Sequence, residues 1–167
     1  MDIQVLHADP GRDSEYISKL INICIVEKRT VLSPYTPEEE KAYIENLGDR
    51  EAVFVAYVDD RFAGFAGMAP RWDYSDKLLH CGEGGTWVIP EFRGMGVGRA
   101  LWDQGVFPWC RKVGLSNLGA TVMAHNVGSI AFYEKLGFHV NGYHRRMVKW
   151  GDEYLDSVEI ELNLPLK

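Results

Sequence analysis

The chain has 167 residues, 46 % of them apolar and 25 % charged, with a formal net charge of −6. That length and mixture fit one domain, 1–167, with one substantial core. The negative balance counts against broad nucleic-acid or anionic-membrane binding, and no apolar run approaches the roughly 20 residues that span a bilayer.

Ile3-Gln4-Val5-Leu6 reads as a first strand. Asp13 or Ser14 is placed to cap a helix whose apolar positions Tyr16, Ile17, Leu20, Ile21, Cys24 and Ile25 keep a 3.6-residue period. Thr36-Pro37-Glu38-Glu39 has the form of a capping box with proline at the first helical position, and that helix is predicted to end at Leu47-Gly48. Ala52 to Val58 and Arg61 to Met68 read as strands across an Asp59-Asp60 turn. A loop from Ala69 to Asp76 follows, then an extended stretch from Leu78 to Ile89. The Gly82-Glu83-Gly84-Gly85 segment inside that stretch points to a bulge or a close backbone approach. A helix is predicted to about Val113, with Pro108 kinking it or ending its regular part. Leu118 to Met123 is a strand, Ser129 to Leu136 a helix closed by Gly137, and Phe138–Val148 with Tyr154–Leu162 a final hairpin. The order β-α-α-β-β-β-α-β-α-β-β gives an α/β (α+β) class, one mixed sheet flanked by helices.

The run Arg93-Gly94-Met95-Gly96-Val97-Gly98 lies where a strand gives way to a helix. The first turn of a helix offers backbone N–H groups without internal acceptors, and the helix dipole adds positive charge, so an anion site of phosphate type is expected. The spacing fits neither G-x-G-x-x-G nor the P-loop with its Lys-Ser/Thr pair. It resembles the pyrophosphate loop of the GNAT N-acetyltransferases, which use acetyl-CoA. Asn126-Val127-Gly128-Ser129, continuing to Tyr133-Glu134-Lys135-Leu136-Gly137-Phe138, resembles that family's second signature. Within the family, Tyr35-Thr36-Pro37-Glu38-Glu39, Glu83 and the tail Lys149 to Asp156 are similar to the phosphinothricin acetyltransferase group.

The resemblance implies roles. Glu83 stands five residues before Val88 in a stretch followed by Pro90, Arg93 and Gly94, as the group's catalytic base does. It is expected to deprotonate an amine whose ordinary pKa is near 10. The other reading is a solvated strand-edge carboxylate. Tyr133 takes the family's acid position, able to protonate a departing thiolate; the other reading is a core aromatic, as for Phe132. The strand Trp87-Val88-Ile89 is expected to splay from its neighbour and offer unpaired backbone groups, an oxyanion donor near Val88 among them. Arg93, Gly94, Met95, Gly96, Val97 and Gly98 would hold the pyrophosphate, with Arg93 adding charge. Asn126 would contact the pantetheine arm or cap its helix, and Ser129 would reach a CoA oxygen. Arg71 could pair with an acceptor carboxylate while Trp72 packs on its stem, or the loop is plain surface. Arg99 reads as a solvated helix charge.

The function implied is acetyl transfer from acetyl-CoA to the primary amine of a small amino-acid-like acceptor, in a ternary complex. The alternatives are acetylation of a protein N-terminus or lysine, a non-catalytic acetyl-CoA-binding module, and a toxin acting on aminoacyl-tRNA, which the negative charge disfavours. The scattered histidines form no metal pattern, and none is expected. Three widely spaced cysteines, Cys24, Cys81 and Cys110, read as free thiols. Met1-Asp2-Ile3-Gln4 lacks the layout of a signal peptide, so a cytoplasmic location is expected. The family's habit and the Trp150 hairpin suggest a homodimer.

Overall fold

The computed structural model describes residues 1–167. Its first half runs β1 (Ile3–His7), α1 (Pro10–Val26), α2 (Pro37–Glu45), β2 (Ala52–Val58), β3 (Arg61–Pro70) and β4 (Cys81–Val88). Its second half runs α3 (Val97–Ala100), a π-helical stretch Leu101–Val106, α4 (Phe107–Val113), β5 (Asn117–Met123), α5 (Val127–Lys135), β6 (His139–Trp150) and β7 (Glu153–Asn163). With α3 to α4 counted as one helix, this is the predicted order. The strands form one seven-stranded sheet, β1-β2-β3-β4-β5-β7-β6. Every neighbouring pair is antiparallel except β4 and β5.

Each sheet face carries its own core. On one, Ile17, Leu20, Ile21 and Cys24 of α1 and Ile44 of α2 pack on Val53, Val55, Phe62 and Phe65. On the other, Trp102, Leu101, Val106 and Cys110 pack with Tyr133 and Phe138 against Ala56, Ala66 and Leu118. All three cysteines are unpaired and buried.

Helix α1 starts a turn before the expected cap. Asp9 is the N-cap, accepting from the Arg12 N–H, and Pro10 occupies the first turn. Asp13 instead lies buried inside the first turn and accepts from the Asp9 N–H (2.7 Å), the Arg12 guanidinium and the Tyr57 hydroxyl (2.5 Å). The Asp-Pro pair carries the N-terminal signal, since proline at the first position loses no helical hydrogen bond. The capping box at Thr36 forms as predicted, but α2 ends at Glu45, short of Leu47-Gly48. Strand β3 continues to Pro70, shortening the predicted loop.

Pro108 takes effect upstream of itself. It has no N–H for the carbonyl four residues back, and its ring crowds that carbonyl. The helix widens before it, and the Phe107 N–H reaches back five residues to the Trp102 carbonyl. The helix then continues to Val113 and closes on Gly114 at φ +79°.

Candidate active site

In the β3–β4 ladder, the Arg71 N–H bonds the Cys81 carbonyl (3.0 Å) and the Ile89 N–H bonds the Ala63 carbonyl (2.9 Å). These two rungs fix odd-numbered β4 residues as the ones whose backbone faces β3; even-numbered ones face β5. Strand β5 meets β4 only through Cys81↔Asn117, Gly82↔Leu118 and Glu83↔Gly119. Beyond that rung the strands part, and Thr86 and Val88 turn their backbone groups to the gap. The Val88 carbonyl is taken by the Arg93 side chain (3.0 Å). Its N–H remains directed into the opening, where an oxyanion donor was expected.

The glycine segment of β4 forms no bulge, because its register with β3 is unbroken. It is a site of close approach: a Cβ on Gly84 would stand 2.1 Å from the Gly67 carbonyl oxygen.

A cavity of about 410 Å³ fills the opening. Glu83, Trp87, Asn126, Ser129 and Tyr133 of the predicted set line it. Trp87 is held by stacking on Phe65 (centroids 4.6 Å apart) and by its indole N–H to the Thr30 hydroxyl (3.2 Å). Glu83 lies 3.5 Å from the Thr121 hydroxyl, which donates to Glu159 at 2.8 Å. Across the cavity, Tyr133 is 4 % exposed. Its hydroxyl donates to the Thr86 hydroxyl oxygen (3.0 Å), and the same oxygen accepts the Trp102 indole N–H (2.6 Å). Burial pushes the Tyr133 pKa up to about 12, with hydrogen bonding by Thr86 working the other way. The phenol therefore keeps its proton at neutral pH.

The loop after β4 is shaped by its glycines. Gly94 (φ +76°) and Gly96 (φ +86°) are left-handed, where a side chain is strained. Gly98 is needed for another reason: a Cβ there would come within 2.9 Å of the Phe132 ring, so its absence lets α3 lie against α5. The N–H groups of Val97, Gly98 and Arg99 belong to the first turn and have no helical acceptor.

Three predicted residues have side chains occupied elsewhere. The Arg93 guanidinium grips Glu27 with two bonds (3.0 and 2.7 Å), which offsets its charge. The loop's free anion donors are then backbone N–H groups, those of Val97 and Gly98 among them, while the Met95 N–H bonds the Phe92 carbonyl (3.4 Å). Arg71 pairs with Glu159 at 2.7 Å and lies 4.4 Å over Trp72; neither residue lines the cavity. Asn126 serves as the α5 N-cap, accepting the Ser129 N–H (3.3 Å) and donating to its hydroxyl (2.9 Å). Arg99 pairs with Asp103 and bonds the Lys135 carbonyl at the end of α5.

Sequence reasoning did not find Thr86, Trp102, Glu27 or Glu40. The first three are joined to the site by contacts between residues distant in the chain, which no local pattern carries. Glu40 had a signal: it stands four residues before Ile44 and so shares the buried face of α2.

Residues 18–138 match the family model "Acetyltransferase (GNAT) family". An N-acetyltransferase of Methanocaldococcus jannaschii is 32 % identical over 60 % of this chain, a match spanning only 46 % of that protein. The Escherichia coli [ribosomal protein bS18]-alanine N-acetyltransferase is 27 % identical over 84 % of this chain and 88 % of its own. Among solved structures, a phosphinothricin acetyltransferase from Sinorhizobium meliloti in complex with AcCoA superposes with a TM-score of 0.86. That match has 20 % identity and covers 98 % of this chain and 89 % of the other. The family model spans most of the chain, and the chain belongs to the acetyltransferase (GNAT) family.

Proposed function

We propose that the protein is an acetyl-CoA-dependent N-acetyltransferase whose acceptor is the primary amine of a small, amino-acid-like molecule. The observation that carries the reading is that a carboxylate, Glu83, and a protonated phenol, Tyr133, face one cavity at a break in the sheet. Acetyl-CoA supplies the activated acetyl thioester. The N–H donors of the loop from Gly94 to Gly98 suit its pyrophosphate, and the Val88 N–H suits the charge that develops on the thioester oxygen. Glu83 takes the proton of the attacking amine, directly or through one water, and Tyr133 returns a proton to the thiolate as the C–S bond breaks.

The Sinorhizobium protein's name and AcCoA complex support this acceptor class and donor. Arg71 and Trp72 would act on the acceptor only after Arg71 left Glu159. Three unpaired thiols suit a reducing cytoplasm. Exposed Tyr143, Met147 and Tyr154 support the β6–β7 hairpin as the surface for a homodimer.

The test is thiol release from acetyl-CoA with amino acids, phosphinothricin and methionine sulfoximine as acceptors. Saturable turnover that falls about 10²-fold or more in Glu83→Gln is expected. Unaltered turnover in that variant across the pH range removes Glu83 from the mechanism. The match to the bS18-alanine acetyltransferase favours a second reading, acetylation of a protein N-terminus. Turnover with peptides alone would establish it.

A further inference from the structure

Glu40 is 6 % exposed, although the acids beside it in the first turn of α2, Glu38 and Glu39, are exposed. Glutamate is almost never buried unless paired. Arg12, Arg71, Arg93 and Arg99 all hold carboxylates, at Asp13, Glu159, Glu27 and Asp103. No side chain bonds or pairs with Glu40; its backbone N–H donates to the Thr36 carbonyl (3.0 Å), a helix bond that leaves the carboxylate unpartnered. Its carboxylate lines the same cavity as Glu83. Burial raises its pKa, and no cation counteracts the rise.

The surroundings select a ligand type. Tyr35, Tyr43 and Leu32, all within eight residues of Glu40 in the chain, line the same cavity. Aromatic faces beside a carboxylate suit an alkylammonium group, which gains from both charge and ring quadrupole. Arg29 is the one cation on the wall; its side chain is 44 % exposed and lies 3.9 Å from Glu27. An acidic tail would face a like charge, and an apolar tail would close the carboxylate off from water without giving it a partner.

We infer that Glu40 is a specificity-determining subsite for a second protonated amine, so that the acceptor is a diamine or diamino acid. The inference rests on the reading that this cavity holds the acceptor. It places one amine at Glu83 for acetylation and the other at Glu40.

The experiment is calorimetric titration of the full chain with CoA present, comparing 1,4-diaminobutane with n-butylamine and ornithine with norvaline. Dibasic ligands are expected to bind about tenfold tighter or more, and in Glu40→Gln the advantage falls below about threefold. The variant's melting temperature holds or rises, because a desolvated charge is removed. Equal binding of mono- and dibasic ligands by the unaltered protein overturns the assignment, as does a dibasic preference that survives in Glu40→Gln. Thiol release from acetyl-CoA with the same compounds separates this inference from the proposed function. Turnover without dibasic preference sinks the Glu40 subsite alone. A Glu40-dependent binding preference with no thiol release from any amine upholds the subsite and sinks acetyl transfer.

Discussion

Replacing Thr86 by valine keeps the shape of the side chain and removes one oxygen. That oxygen accepts from Trp102 at 2.6 Å and from Tyr133 at 3.0 Å. The two donors lose unequally. Tyr133 lines the cavity, so its hydroxyl can turn to water there. Trp102 is 0 % exposed, and its indole N–H has no other partner. A buried donor left unsatisfied costs about 1–3 kcal/mol, so the expected loss is that of one bond, not two. In a domain of this size that is a fall of about 2–4 °C in Tm per kcal/mol. Urea unfolding followed by far-ultraviolet circular dichroism gives the free energy for Thr86→Val, Trp102→Phe and the double variant. The cycle should show a coupling of about 1 kcal/mol or more, since Trp102→Phe removes the donor that Thr86→Val strands. Thr86→Ser should recover most of the loss. A coupling below about 0.3 kcal/mol would show that the shared oxygen does not hold the indole, and the account of the site's buried wall would be wrong.

Tyr133→Phe should lower kcat about 10²-fold or more with little change in KM for acetyl-CoA, read by steady-state thiol release; retained kcat would mean that the thiolate leaves without this proton. Gly98→Ala places a methyl group 2.9 Å from the Phe132 ring. It should cost about 1–3 kcal/mol by thermal unfolding and weaken cofactor binding. Gly94→Ala meets nothing within 4 Å, so its cost, about 1–2 kcal/mol, comes from φ alone. Hydrogen bonding from Arg93 holds the Glu27 carboxylate below its ordinary range. Its contribution to stability is therefore complete above the unfolded pKa of about 4.3 and lost as pH falls through the lower folded value. The pair is partly exposed, so the difference between the protein and Glu27→Gln should be no more than about 1 kcal/mol from pH 5 to 8. Urea titrations should show it closing below about pH 4; a gap that persists there would deny the ion pair.

What the chain discloses before folding is its local chemistry. The capping box at Thr36 and the glycine turn into a helix lie within a few residues and appear where predicted, and α5 starts at Val127, two residues ahead of the predicted Ser129, with Asn126 as its cap. The two carboxylate partners that occupy Arg71 and Arg93 come from β7 and the end of α1, 88 and 66 residues away. Nothing in the neighbourhood of either arginine says that its charge is already matched. Likewise, Trp102 reads as one more apolar residue of an amphipathic helix until the fold sets its indole against Thr86. Pro108 was legible as a disturbance, whereas a kink, a stop and a widened turn all relieve the same missing N–H and crowded carbonyl, and the sequence does not choose among them.

A sheet whose middle seam is closed by three residue pairs behaves as two half-sheets joined at Glu83, with β1 to β4 on one side and β5 to β7 on the other. Whatever pairs with the open backbone groups acts as the missing stretch of strand. Folding stability is then linked to supply: a ligand at a hundred times its Kd adds about 2.7 kcal/mol. The amide hydrogen of Val88 should exchange quickly without ligand and slowly with it, while that of Phe65, on a strand paired along both edges, changes little. In a cell that degrades what opens, the lifetime of such a protein follows the abundance of the small molecule that fills its seam.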